Sequence, residues 1–203
     1  MKKILLLSLL VFLSMPLFAE YGIGVKLGVG ENDPKSMNEM FDVYGGDKTE
    51  GDGIFSLEFL YEFPLQAGDE VNKLGIKAGF DFYGENELKI KNYYYGVRGR
   101  FTENTWALPV TGYYKYDGGL KNFSFYGGLG FTFIRTEVEL GSEDFSKSKL
   151  FAHIAGGAEY RFTQLFALGL DLKYNIGAKL EKEGGTLSDR SGFSGALAGR
   201  FYF

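Results

Sequence analysis

The side chains best suited to chemistry are charged residues that recur at alternate positions within otherwise apolar stretches. Alternate residues of an extended strand share one face, so these charges would lie together on the face opposite the apolar one. Charges of both signs enclosed in this way are expected to pair with one another and fill the space rather than catalyse a reaction. The set comprises Glu58, Glu62, Lys73, Lys77, Asp81, Lys115, Glu159, Arg161, Asp171, Lys173 and Arg200.

Two of these ion pairs follow from one predicted hairpin. If residues 64–72 form the turn, Glu62 falls opposite Lys73 and Glu58 falls opposite Lys77. Opposite charges at facing positions of two antiparallel strands stabilise the pairing. We therefore expect both pairs inside the protein, with a narrow ion path through the same charges as the alternative to a packed interior.

His153 is the one histidine of the chain and the obvious candidate for a general base. A lipid A hydrolase would need a nucleophile beside it, but Ser146 and Ser148 lie on a predicted loop with no evident geometry. His153 shares its strand face with Glu159 and Arg161, so we expect a hydrogen-bonded, inward-facing histidine. One histidine, no cysteine and scattered carboxylates lack the ligand spacing of a metal site, and no catalytic residue or cofactor is predicted.

The segment 31–52 is acidic, with seven carboxylates against Lys35 and Lys48. Such a loop could share divalent cations with lipid phosphates, although simple solvation explains the charges equally well. The same segment carries apolar groups that solvation does not require, and these form a candidate contact patch. The patch comprises Met37, Met40, Phe41 and Tyr44.

Eight segments alternate between apolar and polar residues with the period of a β-strand. Residues 166–180 show it most clearly, with an apolar set that runs from Phe166 to Ala178 and Leu180. The 17% aromatic content and 30 glycines suit a membrane barrel, which needs interfacial aromatics and closely passing strands. We therefore predict an all-β fold, an eight-stranded antiparallel up-and-down transmembrane β-barrel. The segments are 21–30, 53–63, 73–83, 105–116, 121–139, 150–162, 166–180 and the strand that ends at Phe203.

The connections alternate between short turns and longer polar segments, as in bacterial barrels with brief periplasmic turns. The longer ones are predicted at 31–52, 84–104, 140–149 and 181–190. Residues 84–104 also alternate, so we expect them to extend a strand pair beyond the membrane, with a ten-strand barrel as the alternative. Pro109 cannot donate to a strand ladder, which predicts a bulge or local break there.

The two ends of the chain point to the bacterial envelope. Lys2 and Lys3 precede an apolar run and the tail Pro16-Leu17-Phe18-Ala19, the pattern of a cleaved signal. The run is too short for a bilayer core of about 30 Å, so we expect a signal peptide at 1–19 and a barrel domain at 20–203. The final strand is apolar on one face and ends in an aromatic residue, as a closing barrel strand does. That face comprises Phe193, Leu197, Phe201 and Phe203.

The segments 151–179 and 191–203, FAHIAGGAEYRFTQLFALGLDLKYNIGAK and SGFSGALAGRFYF, resemble the small OmpA/OmpX-type outer-membrane β-barrel domain family. The resemblance implies insertion by the outer-membrane assembly machinery, which reads the C-terminal aromatic strand, with help from periplasmic chaperones. It implies no particular activity. The expected protein is a monomer in outer-membrane lipid and lipopolysaccharide, with both termini periplasmic. Removal of the two signal-peptide lysines leaves a net charge of about −6, so we expect no nucleic-acid partner.

These observations together predict a non-enzymatic barrel with a packed polar lumen. Its role would be envelope integrity or contact with a surface partner through the loops. A small porin-like channel is the alternative, and a lipid A-modifying enzyme is a third class that His153 alone keeps open.

Overall fold

The computed structural model describes residues 19–31, 52–66, 71–84, 86–92, 97–140, 143–182 and 185–203. Within these ranges, no helix has the length and hydropathy to cross a bilayer. Eleven β-strands are present in the described part of the chain. They are β1 (Glu20–Gly30), β2 (Asp52–Pro64), β3 (Asn72–Tyr83), β4 (Asn86–Asn92), β5 (Val97–Leu120), β6 (Phe123–Leu140), β7 (Glu143–Arg161), β8 (Phe166–Ile176), β9 (Lys179–Lys182), β10 (Gly185–Asp189) and β11 (Gly192–Tyr202).

Eight of these strands close into an antiparallel barrel, in the order β1, β2, β3, β5, β6, β7, β8 and β11. The ring closes because β3 pairs with β5 and β11 pairs with β1, as in Leu27 opposite Leu197. The predicted eight-stranded up-and-down barrel is therefore confirmed. β4 is a ninth strand of the same sheet that pairs only with the first part of β5, so residues 86–92 and 97–103 extend a strand pair and do not widen the barrel to ten strands.

Alternation of side chains fixes the two faces of the wall. Large apolar residues point outward from every barrel strand and remain exposed, for example Leu27 at 65%, Leu129 at 68% and Leu197 at 69%. A continuous apolar outer surface of this kind is unfavourable in water and is what lipid covers. Most inward positions on the same strands are small, polar or charged, with a few large apolar residues such as Ile134 and Phe151, and most of them are buried.

The start of β1, the end of β11 and the short turns lie at one end of the barrel, which we call the terminus end. Glu20 is opposite Glu62, next to the short connection that follows Pro64, and the turns at 121–122 and 162–165 join β5 to β6 and β7 to β8. Asn122 takes a left-handed φ of 65° in the tighter of these turns, a conformation that asparagine tolerates. The opposite end, where the other connections lie, is called the loop end.

At the loop end, the strands extend further than the sequence pattern indicates. β6 and β7 remain paired up to Leu140 opposite Glu143, so most of the predicted loop 140–149 is strand. The predicted loop 181–190 contains a second sheet, the β9–β10 hairpin. Charged residues interrupt the apolar alternation in both segments, so the sequence pattern does not indicate strands there.

Pro109 interrupts the barrel wall without a bulge. The β3–β5 register is the same on both sides of it, from Ala78 opposite Val110 to Asp81 opposite Ala107, but the pairs between them are missing. The pairing of Pro109 with Thr132 on the other side is continuous. The local break is therefore confirmed and the bulge is not, because the absent N–H removes ladder bonds without adding a residue.

Candidate functional site in the barrel lumen

The lumen is filled by charged side chains that reach inward from almost every barrel strand. All eleven charges singled out in the sequence lie on this side of the wall, and most are buried. The structure adds others at the two mouths and above the middle, namely Glu20, Lys26, Glu103, Asp117 and Arg190. Glu103 and Arg190 have the same parity as Lys115 and Arg200, respectively, but both fall in segments predicted as connections, 84–104 and 181–190.

Arg200 on β11 is the centre of the ion-pair network. Its Nε donates to Glu58 Oε1 at 2.6 Å, and its Nη1 donates to Glu159 Oε2 at 3.1 Å. Its Nη2 donates to both carboxylate oxygens of Asp171, at 2.6 and 2.7 Å. These carboxylates come from β2, β7 and β8, so one fully buried guanidinium ties together strands from across the barrel. Planar, multidentate pairing of this kind suits arginine and not lysine.

A second cation, Lys115 on β5, lies nearer the terminus end. Its Nζ is 3.1 Å from Glu62 Oε2 and 2.9 Å from Glu159 Oε1. Two tyrosines complete the coordination of these carboxylates, because Tyr113 donates to Glu62 at 2.7 Å and Tyr202 donates to Glu159 at 2.6 Å. Glu159 thus links the Lys115 and Arg200 groups, and the two form one network.

The predicted register of the β2–β3 hairpin is wrong by two residues. Glu62 is opposite Gly75, and Lys77 is opposite Leu60. A slip of two leaves every side chain on its original face, because the period of a strand is two. The predicted charges are therefore lumenal. Glu58 and Lys77 remain a long ion pair at 4.0 Å, but the shortest contacts of the two predicted lysines are with other carboxylates.

The observed partners lie across the lumen. Lys77 Nζ is 3.0 Å from Asp171 Oδ2, whereas its distance to Glu58 Oε2 is longer, at 4.0 Å. Lys73 pairs with Glu20 at 3.1 Å and with Asp117 at 3.0 Å.

The terminus mouth is closed by a smaller ion-pair group. Arg161 Nη1 donates to Glu20 at 2.7 Å, and its guanidinium lies 4.3 Å from the centre of the Tyr202 ring. Beyond it, a depression of about 310 Å³ between the turns ends against Arg161 and Asp117. The depression is the mouth of the barrel, and the charges at its floor separate it from the interior.

Little space remains inside the network. A gap of about 10 Å³ is enclosed among Glu62, Tyr113, Lys115 and Tyr126, which is at most the size of one water. Closer to the loop end there is a chamber of about 40 Å³, with Lys26, Asp81, Thr111, Lys173 and Ser194 in its walls. We call it the upper chamber. It has room for a few waters and for no larger solute.

The loop half of the lumen has a different composition. His153 is buried, with Nε2 2.8 Å from the hydroxyl of Thr111 and Nδ1 2.9 Å from that of Thr132. The expectation of an inward, hydrogen-bonded histidine is confirmed. Above it lies an apolar cluster that comprises Ala107, Ile134, Val138, Phe151, Ala178 and Leu180, with Tyr83 packed against it.

Ala178 and Leu180 correct the sequence interpretation, which placed them on the lipid-facing side of a strand ending at 180. β8 ends at Ile176, and Gly177 has a φ of 66°. This left-handed conformation reverses the facing of the residues that follow. Ala178 and Leu180 therefore enter the mouth of the lumen, where both are buried.

Arg190 fastens the β9–β10 segment at the loop mouth. Its Nη2 donates to Glu103 Oε1 at 3.0 Å and to Thr105 Oγ1 at 3.2 Å, and its guanidinium lies 4.4 Å from the Tyr83 ring centre. Next to it, burial acts to raise the pKa of Asp189. Hydrogen bonds from Ser191 and the charge of Lys179 outweigh that effect and hold this pKa below its usual value.

Among the residues that the structure describes, no group of histidine and carboxylate side chains could hold a metal ion. The predicted contact patch at Met37, Met40, Phe41 and Tyr44 lies outside the described residues, as do residues 1–18 of the predicted signal peptide at 1–19. The C-terminal set Phe193, Leu197, Phe201 and Phe203 forms the exposed outer face of the last strand.

A closed eight-stranded barrel with an apolar exterior and an interior of paired charges defines an integral outer-membrane β-barrel. Residues 4–201 match the family model described as "Outer membrane protein beta-barrel domain". The chain belongs to this family.

Solved structures of small barrels share the fold at low sequence identity. OprG from Pseudomonas aeruginosa aligns with a TM-score of 0.53 and 16% identity, covering 92% of this chain and 96% of that one. Neisserial surface protein A aligns at 0.51 and 14%, covering 91% and 97%. Ail of Yersinia pestis, in complex with the heparin analogue sucrose octasulfate, aligns at 0.51 and 16%, also covering 91% and 97%. A search of curated proteins finds no significant match.

Proposed function

We propose that this protein is a non-enzymatic outer-membrane barrel whose lumen is a permanent plug and whose loop end is extracellular. It contributes to envelope integrity or to contacts with a surface partner through its loops, and both termini are periplasmic. The observation that carries this proposal is the position of Arg200, which pairs with carboxylates from three other strands in the middle of the lumen. Any solute crossing the barrel would have to displace these buried pairs.

The experiment that tests the plug is planar-bilayer conductance of the refolded protein lacking residues 1–19. Folding is checked first by a heat-dependent shift on a gel. Silence from a folded barrel is the expected result, because the gaps inside the network have at most the size of a few waters. Stable, reproducible channels would move the protein to the class of small porins. In that case, Lys77→Met or Lys173→Met should change the conductance.

Lipid A modification is tested separately through His153. Both ring nitrogens are engaged by threonine hydroxyls, so neither is directed at a substrate. The lipid A of cells that produce the protein is expected to be the same as that of cells that produce His153→Ala. A lipid A species that disappears with His153→Ala would place the protein among enzymes instead.

The segment 34–46 is the first place to look for a loop partner. Replacement of Met37, Met40, Phe41 and Tyr44 by serine keeps the loop length and its charge but removes the apolar groups. This variant is expected to lose surface attachment or to weaken the resistance of the envelope to detergent, while a variant with two loop carboxylates neutralised, Glu39→Gln with Asp42→Asn, keeps both. A full set of wild-type phenotypes after deletion of 34–46 would remove this segment from the proposal.

A polyanion is a second class of partner. The register of β4 and β5 puts Lys89 opposite Arg100 and, two positions along, Lys91 opposite Arg98. Four basic residues thus occupy facing positions of one hairpin, a pattern that favours binding of a polyanion. Ail, which shares the fold, is solved with a heparin analogue.

Retention on immobilised heparin tests this partner class. At low salt, replacement of all four β4–β5 cations by glutamine is expected to abolish retention. Lys147→Gln with Lys149→Gln serves as the control and should leave it intact. Equal retention of the two variants would count against a polyanion site on β4–β5.

A further inference from the structure

The β9–β10 hairpin lies apart from the barrel wall. It forms its own two-stranded sheet and continues no barrel strand, whereas β4 is paired into the wall through β5. Its attachment to the barrel is through the lumen and through one exposed hydrogen bond, which Lys149 Nζ of β7 donates to Lys179 O at 2.8 Å. Ala178 and Leu180, at its base, are buried in the apolar cluster with Ile134 and Phe151.

Two glycines connect this hairpin to the barrel, one at each end. Gly177 follows β8 with a φ of 66°, and Gly192 begins β11 with a φ of 132°. No other glycine among the described residues has a positive φ. Glycine passes between backbone basins that other residues cannot reach, so the chain can rotate at the two points where it leaves and rejoins the wall.

One buried ion pair holds the hairpin down. Arg190 and Glu103 are each about 2% exposed and their side chains are 3.0 Å apart. The Arg190 backbone also closes the base of the hairpin, since its N–H donates to Ala178 O at 3.1 Å and its carbonyl accepts from Asn175 Nδ2 at 3.2 Å. Arg190 thus belongs to the hairpin, while Glu103 belongs to the barrel.

Beneath the hairpin and its apolar cluster lies the upper chamber, which has polar walls. Asp81 Oδ1 is buried and has no hydrogen-bond donor among the described residues, and the hydroxyls of Thr111 and Ser194 line the same space. Such groups favour water over an apolar filling. On the side of the terminus end, the Arg200 and Lys115 groups separate the chamber from the rest of the lumen.

We propose that the β9–β10 hairpin is a hinged cap, latched to the barrel by Arg190 and Glu103. Rotation at Gly177 and Gly192 lifts Leu180 out of the lumen mouth and connects the upper chamber with solvent at the loop end. The charged plug stays in place during this motion. The lumen is therefore a blind pocket open on one side only, and it takes small polar solutes only after Leu180 has left the space above the chamber.

Thiol accessibility tests the cap, and the chain is suited to it because it contains no cysteine. Ser194→Cys places a thiol in the wall of the chamber, and Ser146→Cys places one at an exposed position of β7 as the control. A small water-soluble methanethiosulfonate reagent is added to each folded variant. We expect Ser194→Cys to react slowly and to react about tenfold faster or more once Arg190→Met removes the latch, with no change at Ser146→Cys. A rate at Ser194→Cys that is already equal to the control, or that is unaffected by Arg190→Met, would overturn the cap.

A second variant keeps the proposal testable if Arg190→Met does not fold. Leu180→Ala leaves the ion pair intact but weakens the apolar seal, and it should raise the rate at Ser194→Cys by a smaller factor. No increase in this variant contradicts the cap as well. Bilayer conductance of the more reactive variant must stay silent, and a channel opened by loss of the latch would show that the plug moves with the cap.

Discussion

The two halves of the lumen are closed by different physical means. The terminus half is held by ion pairs that cross the barrel, centred on Arg200 and Lys115. The loop half is held by a hydrogen-bonded histidine, an apolar cluster and one ion pair carried by a hairpin. Charge pairing across a barrel fixes strands that are far apart in sequence, whereas the cluster fixes a segment that hangs from two glycines. Under the two proposals above, one half is a rigid plug and the other is a removable seal.

Loss of the central cation should have the largest effect. Arg200→Met leaves Glu58, Glu159 and Asp171 buried without their shared partner. Removing one partner of a buried ion pair costs about 3–5 kcal/mol, so the free energy of unfolding in urea, measured in lipid vesicles, should fall by that amount. The cost should be smaller in a Glu58→Gln background, because one stranded charge is then absent. A loss below about 1 kcal/mol would mean that the plug is hydrated in solution.

The stability of the loop half should respond to a change of side-chain volume and not to a change of charge. Leu180→Ala removes a buried side chain from the cluster at the loop mouth, and such substitutions cost about 2–5 kcal/mol. If the cap is a separate unit, this loss appears as early hydrogen exchange in residues 177–192 while the barrel strands keep their protection. Equal loss of protection throughout the barrel would show that the two halves unfold together.

Lys77→Met tests an intermediate case. Its Nζ is 3.0 Å from Asp171, but Asp171 keeps its bidentate contact with Arg200. An incompletely satisfied buried group costs about 1–3 kcal/mol, so the loss in unfolding free energy should lie below that of Arg200→Met. Unchanged stability would argue that lumenal pairs other than those of Arg200 contribute nothing measurable.

The smallest effect is expected outside the lumen. Arg135 and Glu137 form an ion pair with N–O distance 2.9 Å, but both side chains are about half exposed. Exposed pairs contribute about 0–1 kcal/mol, so Arg135→Met should leave the urea midpoint nearly unchanged and serves as the charge-matched control for Arg200→Met. A loss as large as that of Arg200→Met would assign the lumenal result to net charge and not to burial.

The sequence predicts faces better than it predicts partners. A period of two specifies which residues of β2 and β3 point inward, and it is unchanged by a slip of two, so Glu58 and Lys77 were assigned to the lumen but to the wrong register. The partners of Arg200 come from strands 29 to 142 residues away in sequence. No local pattern contains that information, because it depends on the tilt and stagger of the closed barrel.

In the loop half, the sequence pattern predicts even the face of a residue wrongly. Ala178 continues the alternation of β8 on paper, yet one left-handed glycine at 177 turns it inward. Glycine at this position also fits an ordinary strand, so the sequence did not distinguish the two outcomes. Pro109 was more informative, because a missing N–H has a single consequence for the ladder, and the break is where it was expected.

The lumenal charges balance one another, and this determines which residues set the electrostatic field around the protein. The ion-paired groups inside the described barrel are eight cations and eight carboxylates, which are Lys26, Lys73, Lys77, Lys115, Arg161, Lys173, Arg190 and Arg200 with Glu20, Glu58, Glu62, Asp81, Glu103, Asp117, Glu159 and Asp171. Residues 20–203 contain 20 basic and 26 acidic side chains, so the whole excess of six belongs to residues outside this set. Beyond a Debye length of about 8 Å, the barrel interior contributes almost no field. The sign that an approaching molecule encounters can therefore be changed by substitutions in the connections alone, without any rearrangement of the plug.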